Sequence, residues 1–479
     1  MKDLEKIVSR LILIDFQDPQ FAAKYPFAGY ILFHKDIDQS ENGWKNLKEF
    51  NSYYIKLFRD KHNVNIFSAV DQEGGVVFRF DYPDFPAVFS QYLVKNQETA
   101  YKISKLNGLI LKYLGFNLNF SPVMDVNTNQ NNPIIGIRSF GKDHHLVAKL
   151  SFQYIKGYKD AGVLCTGKHF PGHGDTNLDS HLALPYSRIS FEHLYPFLYN
   201  KLFLPSIMTA HVVYRNVDYL PSTLSKKTLS LIDFNGLVFS DALNMKALNN
   251  YKWEDILIKS ILAGVDVLLI LGDDKIKEES IKFLSKIAEK NDHFKQIIIS
   301  KYLKISEFLQ KYNIFTQYYN DNHILEEIKN LKSWMLSYEL PIAYKGDFEK
   351  FKFLLGKFSK IIVVSNNYLK TIGINGKIKN IFKNLSNCKN ESLKSNFLEI
   401  NDFEEVEKLG IFNRDNYLIV NLTLDGFCNN VISKLRKFNK SVYVISFSNP
   451  YLEGDFVLNV GGFSNVHLEN FKRLILKDF

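Results

Sequence analysis

The sequence predicts an α/β chain, a (β/α)₈ TIM-like barrel followed by a smaller α/β C-terminal domain. Three observations carry that expectation. Short apolar runs alternate with longer helical patterns over the first two thirds of the chain. Polar, chemically capable residues stand just past the ends of those runs, and the pattern changes after about residue 325.

The strand-like runs are YILF (30–33), NIFSAV (65–70), FNLNFSPV (116–123), GVLCTG (162–167), SIMTAHVVY (206–214), GLVFS (236–240) and DVLLIL (266–271). Amphipathic helix candidates lie between several of them, such as 100–115 and 254–264. Strands alternating with helices imply a parallel sheet. Seven or eight such units in about 300 residues fit the closed barrel. Asp71, Asp125, His169, His211 and Asp241 follow the C-terminal ends of the runs. A barrel gathers all such ends on one face, whereas a doubly wound sheet equips only its switch point. Five equipped ends favour the barrel.

After residue 325 the text changes to a connecting helix, a linker and the runs KIIVVSNN, NYLIVNLTL, KSVYVISFSNP and DFVLNVGG, spaced by Lys- and Asn-rich segments. The expected division is a catalytic barrel over 1–325, a linker over 326–345 and a small α/β domain over 346–479. Neither GINGK (373–377) nor GGF (461–463) has a nucleotide-loop spacing, so the second unit offers no chemistry of its own.

Composition narrows the partners. Of 479 residues, 46% are hydrophobic, enough for two cores, and the net charge of +9 comes from 60 basic against 51 acidic residues. The lysines are dispersed, with no run of like charge of the kind that marks a nucleic-acid arm. Cys165, Cys388 and Cys428 stand at no metal-like or framework spacing and suit a reducing compartment. The N-terminal stretch MKDLEKIVSRLILIDFQDPQF lacks a signal peptide's pattern, and no segment approaches the roughly 20 apolar residues of a membrane span. A soluble cytoplasmic protein without nucleic-acid or membrane partners is expected.

The densest chemistry lies in KHFPGHGDTNLDSHLALP, Lys168 to Pro185, which three readings fit: a metal site, a proton-transfer site or a polar loop. His169 and His173 are four apart, but Pro171, Gly172 and Gly174 oppose a helix that would align them, and no zinc-protease glutamate accompanies them. In DSH, Asp179 and His181 are close enough in a turn to hydrogen-bond. A carboxylate fixes the imidazole tautomer and favours its protonated form, which suits a proton donor near neutrality. An Asx-turn is the ordinary alternative. Asp241, in VFSDALNM, reads either as a helix N-cap or as a carboxylate nucleophile at the barrel mouth. In VDQEGGVVFR, Asp71 ends a strand, Gly74 and Gly75 allow close backbone approach, and Arg79 follows. Carboxylates beside Arg and Lys match sugar hydroxyls, which both donate and accept.

Taken in order, DQEGG, IRSFG (137–141), KHFPGHGDTNLDSH, MTAHV (208–212), PSTLS (221–225) and SDALNM resemble the β-N-acetylglucosaminidases of glycoside hydrolase family 3, the branch that recycles peptidoglycan. The resemblance covers roughly residues 28 to 270 and implies the barrel fold. It also implies that Asp241 is the catalytic nucleophile, that His181 is the general acid/base with Asp179 as its partner, and that Asp71, Arg79, Arg138, Lys168 and His169 bind the terminal N-acetylglucosamine. The implied reaction is retaining hydrolysis of β-linked N-acetylglucosamine in cell-wall fragments or related amino sugars, with no cofactor. Two positions depart from the family: Val76 replaces an Arg after DQEGG, and Ala242 replaces an Asp beside the nucleophile, which removes a like charge. A histidine in place of the second carboxylate also lowers the repulsion felt by an incoming anion, so phosphorolysis is the same-fold alternative. A metal-dependent hydrolase using His169, His173 and His181, and a non-catalytic sugar-binding protein, are the alternatives from other classes.

Overall fold

The computed structural model describes residues 2–16, 18–312 and 321–338, and beyond them the C-terminal strands and single residues named below. Eight parallel strands follow one another around a ring: β1 (Ile12–Asp15), β2 (Gly29–Leu32), β3 (Phe67–Val70), β4 (Leu118–Asn119), β5 (Leu164–Phe170), β6 (Ser206–Thr209), β7 (Leu237–Phe239) and β8 (Leu268–Ile270). β8 returns to β1 through the pair Leu268 and Ile12. A parallel bridge between Phe239 and Val267 joins β7 to β8 and completes the circuit. Every residue of these strands is buried, as expected of a sheet covered on both faces. The interior is packed with aromatic rings: Phe239 meets Phe67 and Phe120 edge-on, each at 5.5 Å between centroids.

The outer helices are α1 (Lys2–Ser9), α2 (Gly43–His62), α3 (Gln97–Tyr113), α4 (His144–Ala161), α5 (Phe191–Asn200), α6 (Trp253–Ala263), α7 (Asp274–Lys290), α8 (Asp292–Lys311) and α9 (Asp321–Ser337). Their starts are written in the sequence. Asn96 accepts from Thr99 N–H before α3, Asp143 accepts from the N–H groups of His145 and Leu146 before α4, and Asn291 caps α8 through Phe294 N–H, as short polar N-caps do. At the closed end of the barrel Asp266 takes Lys301 at 3.1 Å and Lys304 at 2.6 Å, tying α8 to the strand that completes the ring.

Three expectations change in detail. The N-terminal stretch, which lies outside the expected strands, supplies β1. Arg10 beside it donates to the carbonyls of Phe27 and Asn65 from a buried position. The run 116–123 yields only Leu118–Asn119, because Asn119 turns its side chain to Gln72 and Pro122 has no N–H to donate. The run 206–214 breaks after Thr209, and Val213–Tyr214 pairs instead with Tyr186–Ser187 in a separate two-stranded sheet.

In the C-terminal region Tyr344–Lys345, Lys360–Val364, Phe397–Ile400, Tyr417–Asn421, Val442–Ser446 and Phe456–Asn459 form a second, six-stranded sheet. Tyr344–Lys345 is antiparallel to Phe456–Asn459, and the other pairings are parallel. GINGK (373–377), GGF (461–463), Cys388 and Cys428 lie outside the described residues. His467 of this region touches the barrel: its buried imidazole lies 3.4 Å from Ser90 N–H and edge-on to Phe89. Among the described residues no helix is long and apolar enough to cross a membrane.

Candidate active site

The strand ends of β3 and β5 hold a buried charge network. After β3 the chain turns sharply at Gly74 and Gly75, with φ of +94° and +65°. A Cβ at either would strike the Val88–Ser90 segment, so glycine alone fits both the conformation and the space. Gln72 fastens this turn: its Nε2 donates to the Phe80 carbonyl and its Oε1 accepts from Arg79 N–H at 2.7 Å. That places the Arg79 guanidinium 3.0 Å from Asp71 Oδ2, while Lys168 Nζ reaches Asp71 Oδ1 at 2.7 Å. Lys168 also reaches Glu73 at 2.6 Å, and Arg138 grips Glu73 with two parallel 2.9 Å bonds. Burial works against ionising Asp71 and Glu73. The cations prevail, Lys168 and Arg79 on Asp71 and Arg138 and Lys168 on Glu73, and hold both carboxyls below their ordinary values.

His169 extends the network. Arg138 can only donate, so its 3.4 Å contact with Nε2 makes that nitrogen an acceptor. Nδ1 then carries the proton to Asp125 at 2.7 Å. Asp125 also accepts the backbone N–H of His173 at 2.6 Å. Burial opposes its charge, but His169 and His173 keep its carboxyl below the usual range.

Asp179 and His181 form a pair. Asp179 Oδ1 accepts both the backbone N–H of His181 at 2.8 Å and its Nδ1 at 2.7 Å. Desolvation would lower the imidazole's pKa, yet the hydrogen bond and charge of Asp179, reinforced by Asp241, raise it overall. The imidazole is 58% exposed, against 22% for its partner carboxylate. Asp241 follows β7, partly exposed, and accepts from Ala242 N–H at 2.8 Å. Burial again opposes its ionisation, and the neighbouring His211, His169 and His181 lower its pKa. His211 backs this turn. Its Nε2 lies 2.9 Å from the Ala242 carbonyl, an acceptor, so Nε2 carries the proton and Nδ1 receives the Thr223 hydroxyl at 2.7 Å.

All eight residues singled out in the sequence therefore stand at the strand ends or in the loop of one barrel face. Asp71, Arg79, Arg138, Lys168 and His169 join one hydrogen-bonded network, Asp179 and His181 form a second unit, and Asp241 is electrostatically linked to both. Glu73 was missed. Its place two residues after Asp71 in an extended chain end was the available signal, since alternate residues share a face. Asp125 and His211 were recognised as strand-end residues without a partner. Of the three histidines weighed as metal ligands, His169, His173 and His181, the Nδ1 atoms go to Asp125, Thr176 and Asp179 respectively. Among the described residues no group of three or more His, Cys, Asp or Glu is placed to hold a metal ion.

Comparison with known proteins gives this face a family. The model of the glycosyl hydrolase family 3 N terminal domain matches residues 5–305. A Beta-hexosaminidase A from Pseudoalteromonas piscicida is 31% identical over 282 residues, covering 52% of this chain and 47% of that protein. The chain thus spans about half the length of that relative. A Beta-hexosaminidase from Idiomarina loihiensis is 31% identical over 274 residues, covering 54% of this chain and 80% of that one. A solved glycoside hydrolase family 3 beta-N-acetylglucosaminidase from Paenibacillus sp. str. FPU-7 superimposes with a TM-score of 0.73 at 21% identity, over 99% of this chain and 97% of that one. A beta-glucoside phosphorylase bound to 2FGlc gives 0.74 at 18% identity, over 99% and 93%. At such identities the two structures speak for the fold, and the family rests on the sequence matches: the chain belongs to glycosyl hydrolase family 3.

Proposed function

We propose that the chain is a retaining exo-β-N-acetylglucosaminidase that removes terminal β-linked N-acetylglucosamine from cell-wall fragments or related amino sugars. The observation that carries this reading is the Asp179–His181 pair, bonded at 2.7 Å and tied through Ser180 to the loop that follows the carboxylate Asp241, the carboxylate held below its ordinary pKa and the imidazole above its own. Opposed shifts of this kind separate a nucleophile from an acid. Asp241 attacks the anomeric carbon as His181 gives its Nε2 proton to the leaving glycosidic oxygen, and a glycosyl-enzyme forms. His181 then takes a proton from water, which attacks the same carbon and frees Asp241. Asp179 holds the Nδ1 proton throughout and stabilises the imidazolium. Most retaining enzymes use two carboxylates about 5–5.5 Å apart for these tasks.

The sugar lies against Asp71, Arg79, Arg138, Lys168 and His169, whose fixed donors and acceptors match a ring of hydroxyls. The names of the curated relatives support hexosaminide as the substrate class. The barrel is the catalytic unit, and the second sheet forms a separate unit after α9. The buried free thiol of Cys165 suits a reducing compartment such as the cytoplasm.

The test uses 4-nitrophenyl β-N-acetylglucosaminide with and without inorganic phosphate, identifying the released sugar. Free N-acetylglucosamine at a rate indifferent to phosphate is expected. Sugar 1-phosphate would make the protein a phosphorylase with the same residues. Asp241→Ala should lose at least about three orders of magnitude in turnover while staying folded. A variant that keeps substantial activity removes Asp241 from the nucleophile's role.

A further inference from the structure

The loop from Lys168 to Pro185 has a fixed root and a projecting tip. At the root, Asp125 accepts His173 N–H, Asn132 donates to the His173 carbonyl at 2.8 Å, and Asn129 donates to the Thr176 carbonyl at 2.9 Å. The tip, residues 177–183, is open to solvent, and Ser180 is the one buried residue within it. Ser180 stands between the two members of the Asp179–His181 pair, so what holds Ser180 sets where both of them stand.

Two groups hold it. Ser180 Oγ lies 3.3 Å from His173 Nε2, and the Ser180 carbonyl accepts from Ala247 N–H at 3.2 Å. Ala247 belongs to the segment that follows Asp241, so the tip is fastened to the root on one side and to the nucleophile's own loop on the other. The proton order on the root side follows from the partners. The Thr176 hydroxyl donates to the His173 carbonyl at 3.0 Å, so its oxygen receives the Nδ1 proton at 2.7 Å. His173 Nε2 is left as the acceptor for the Ser180 hydroxyl. With both ring nitrogens engaged by hydroxyls, His173 is neither a free base nor a ligand.

We infer that His173 and Ser180 are positioning residues whose hydrogen bond latches the Asp179–His181 pair beside Asp241, so that the acid reaches the leaving oxygen. The inference rests on the proton-transfer role proposed for His181. A residue that acts only by placing the acid matters most when the leaving group needs a full proton, and least when it departs readily as an anion.

The full-length chain carrying Ser180→Ala is assayed on a disaccharide with terminal β-linked N-acetylglucosamine and on 4-nitrophenyl β-N-acetylglucosaminide, with His181→Ala in parallel. The expected result is a loss in kcat/KM of roughly five- to tenfold on the disaccharide, the scale of one hydrogen bond, against less than about twofold on the nitrophenyl glycoside. His173→Asn withdraws the ring from the other side of the contact and should give the same split. It carries the test if Ser180→Ala melts at the assay temperature. Equal losses on both substrates, or no loss on either, overturn the latch while His181→Ala still shows the split. If His181→Ala itself shows no dependence on the leaving group, the acid/base assignment fails instead, and the latch falls with it.

Discussion

The proposed sugar cradle around Asp71, Glu73 and Lys168 and the proposed catalytic tip at Asp179 and His181 use the same residue types under opposite conditions. In the cradle, Lys168 and Glu73 keep only 3% and 2% of their side-chain surface, and Lys168 and Arg138 reach the carboxylates that follow β3 from other elements. At the tip, His181 is largely exposed and rests on a partner two residues away. Buried charges require complete pairing, which makes the cradle rigid and costly to disturb. The tip is held by few bonds, so the acid is cheap to move and cheap to lose. On the proposed reading, recognition is built into the scaffold, and proton transfer is delegated to a light attachment.

The comparison breaks most strongly at Glu73. Glu73→Gln keeps the shape but turns an amide N–H₂ toward Arg138, leaving donors facing donors beside uncompensated charge. A stability loss of about 3–5 kcal/mol in urea unfolding is expected, with a raised KM in any folded fraction. His181→Ala should do the reverse: turnover of a disaccharide falls roughly a hundred- to thousandfold, while the unfolding midpoint stays within experimental scatter.

The pH dependence separates the two regions again. His181 has a raised pKa, so its stabilising contribution is present below the ordinary histidine value of about 6.5 and fades as pH rises through the folded value. The alkaline limb of kcat/KM should therefore lie above about pH 6.5 and vanish in His181→Ala. Asp71 and Glu73 have lowered values, so their contribution is present above the ordinary carboxylate range and is lost as pH falls, from about pH 5 downward. Acid titration of stability should thus report the cradle, and the alkaline limb of activity the tip. The smallest effect sharpens the contrast from outside both regions. Asp143→Ala removes the N-cap of α4 and should cost about 1 kcal/mol with unchanged kinetics.

How much of this was readable in the sequence follows from the range of the interactions. Strand ends declared themselves because an apolar run followed by Asp or His is a local signal, as at Asp71 and Asp241. The Asp179–His181 pair was legible because its members are two residues apart. Glu73 was marked only by its spacing from Asp71, since its partners Arg138 and Lys168 lie 65 and 95 positions away and nothing in that spacing shows the carboxylate to be buried. His173 was weighed only as a ligand for the same reason: the hydroxyls that occupy its nitrogens are recognisable once the loop is folded. β1 was overlooked because ILID follows an amphipathic helix almost directly, and only one of its two neighbours in the sheet, β2, is near in sequence, β8 lying far downstream.

That last pairing has a consequence for how the protein is made. The ring closes through Ile12 and Leu268, so a chain leaving the ribosome holds one edge of β1 open until the residues between these two strands have been synthesised. Closing so large a loop adds little entropy cost beyond a loop of half the size, about 0.6 kcal/mol, but it comes late. Until then an unpaired parallel edge is available to other chains. Fragments ending before β8 should therefore be prone to associate, and the proposed activity should begin only after the final turn of the barrel has emerged.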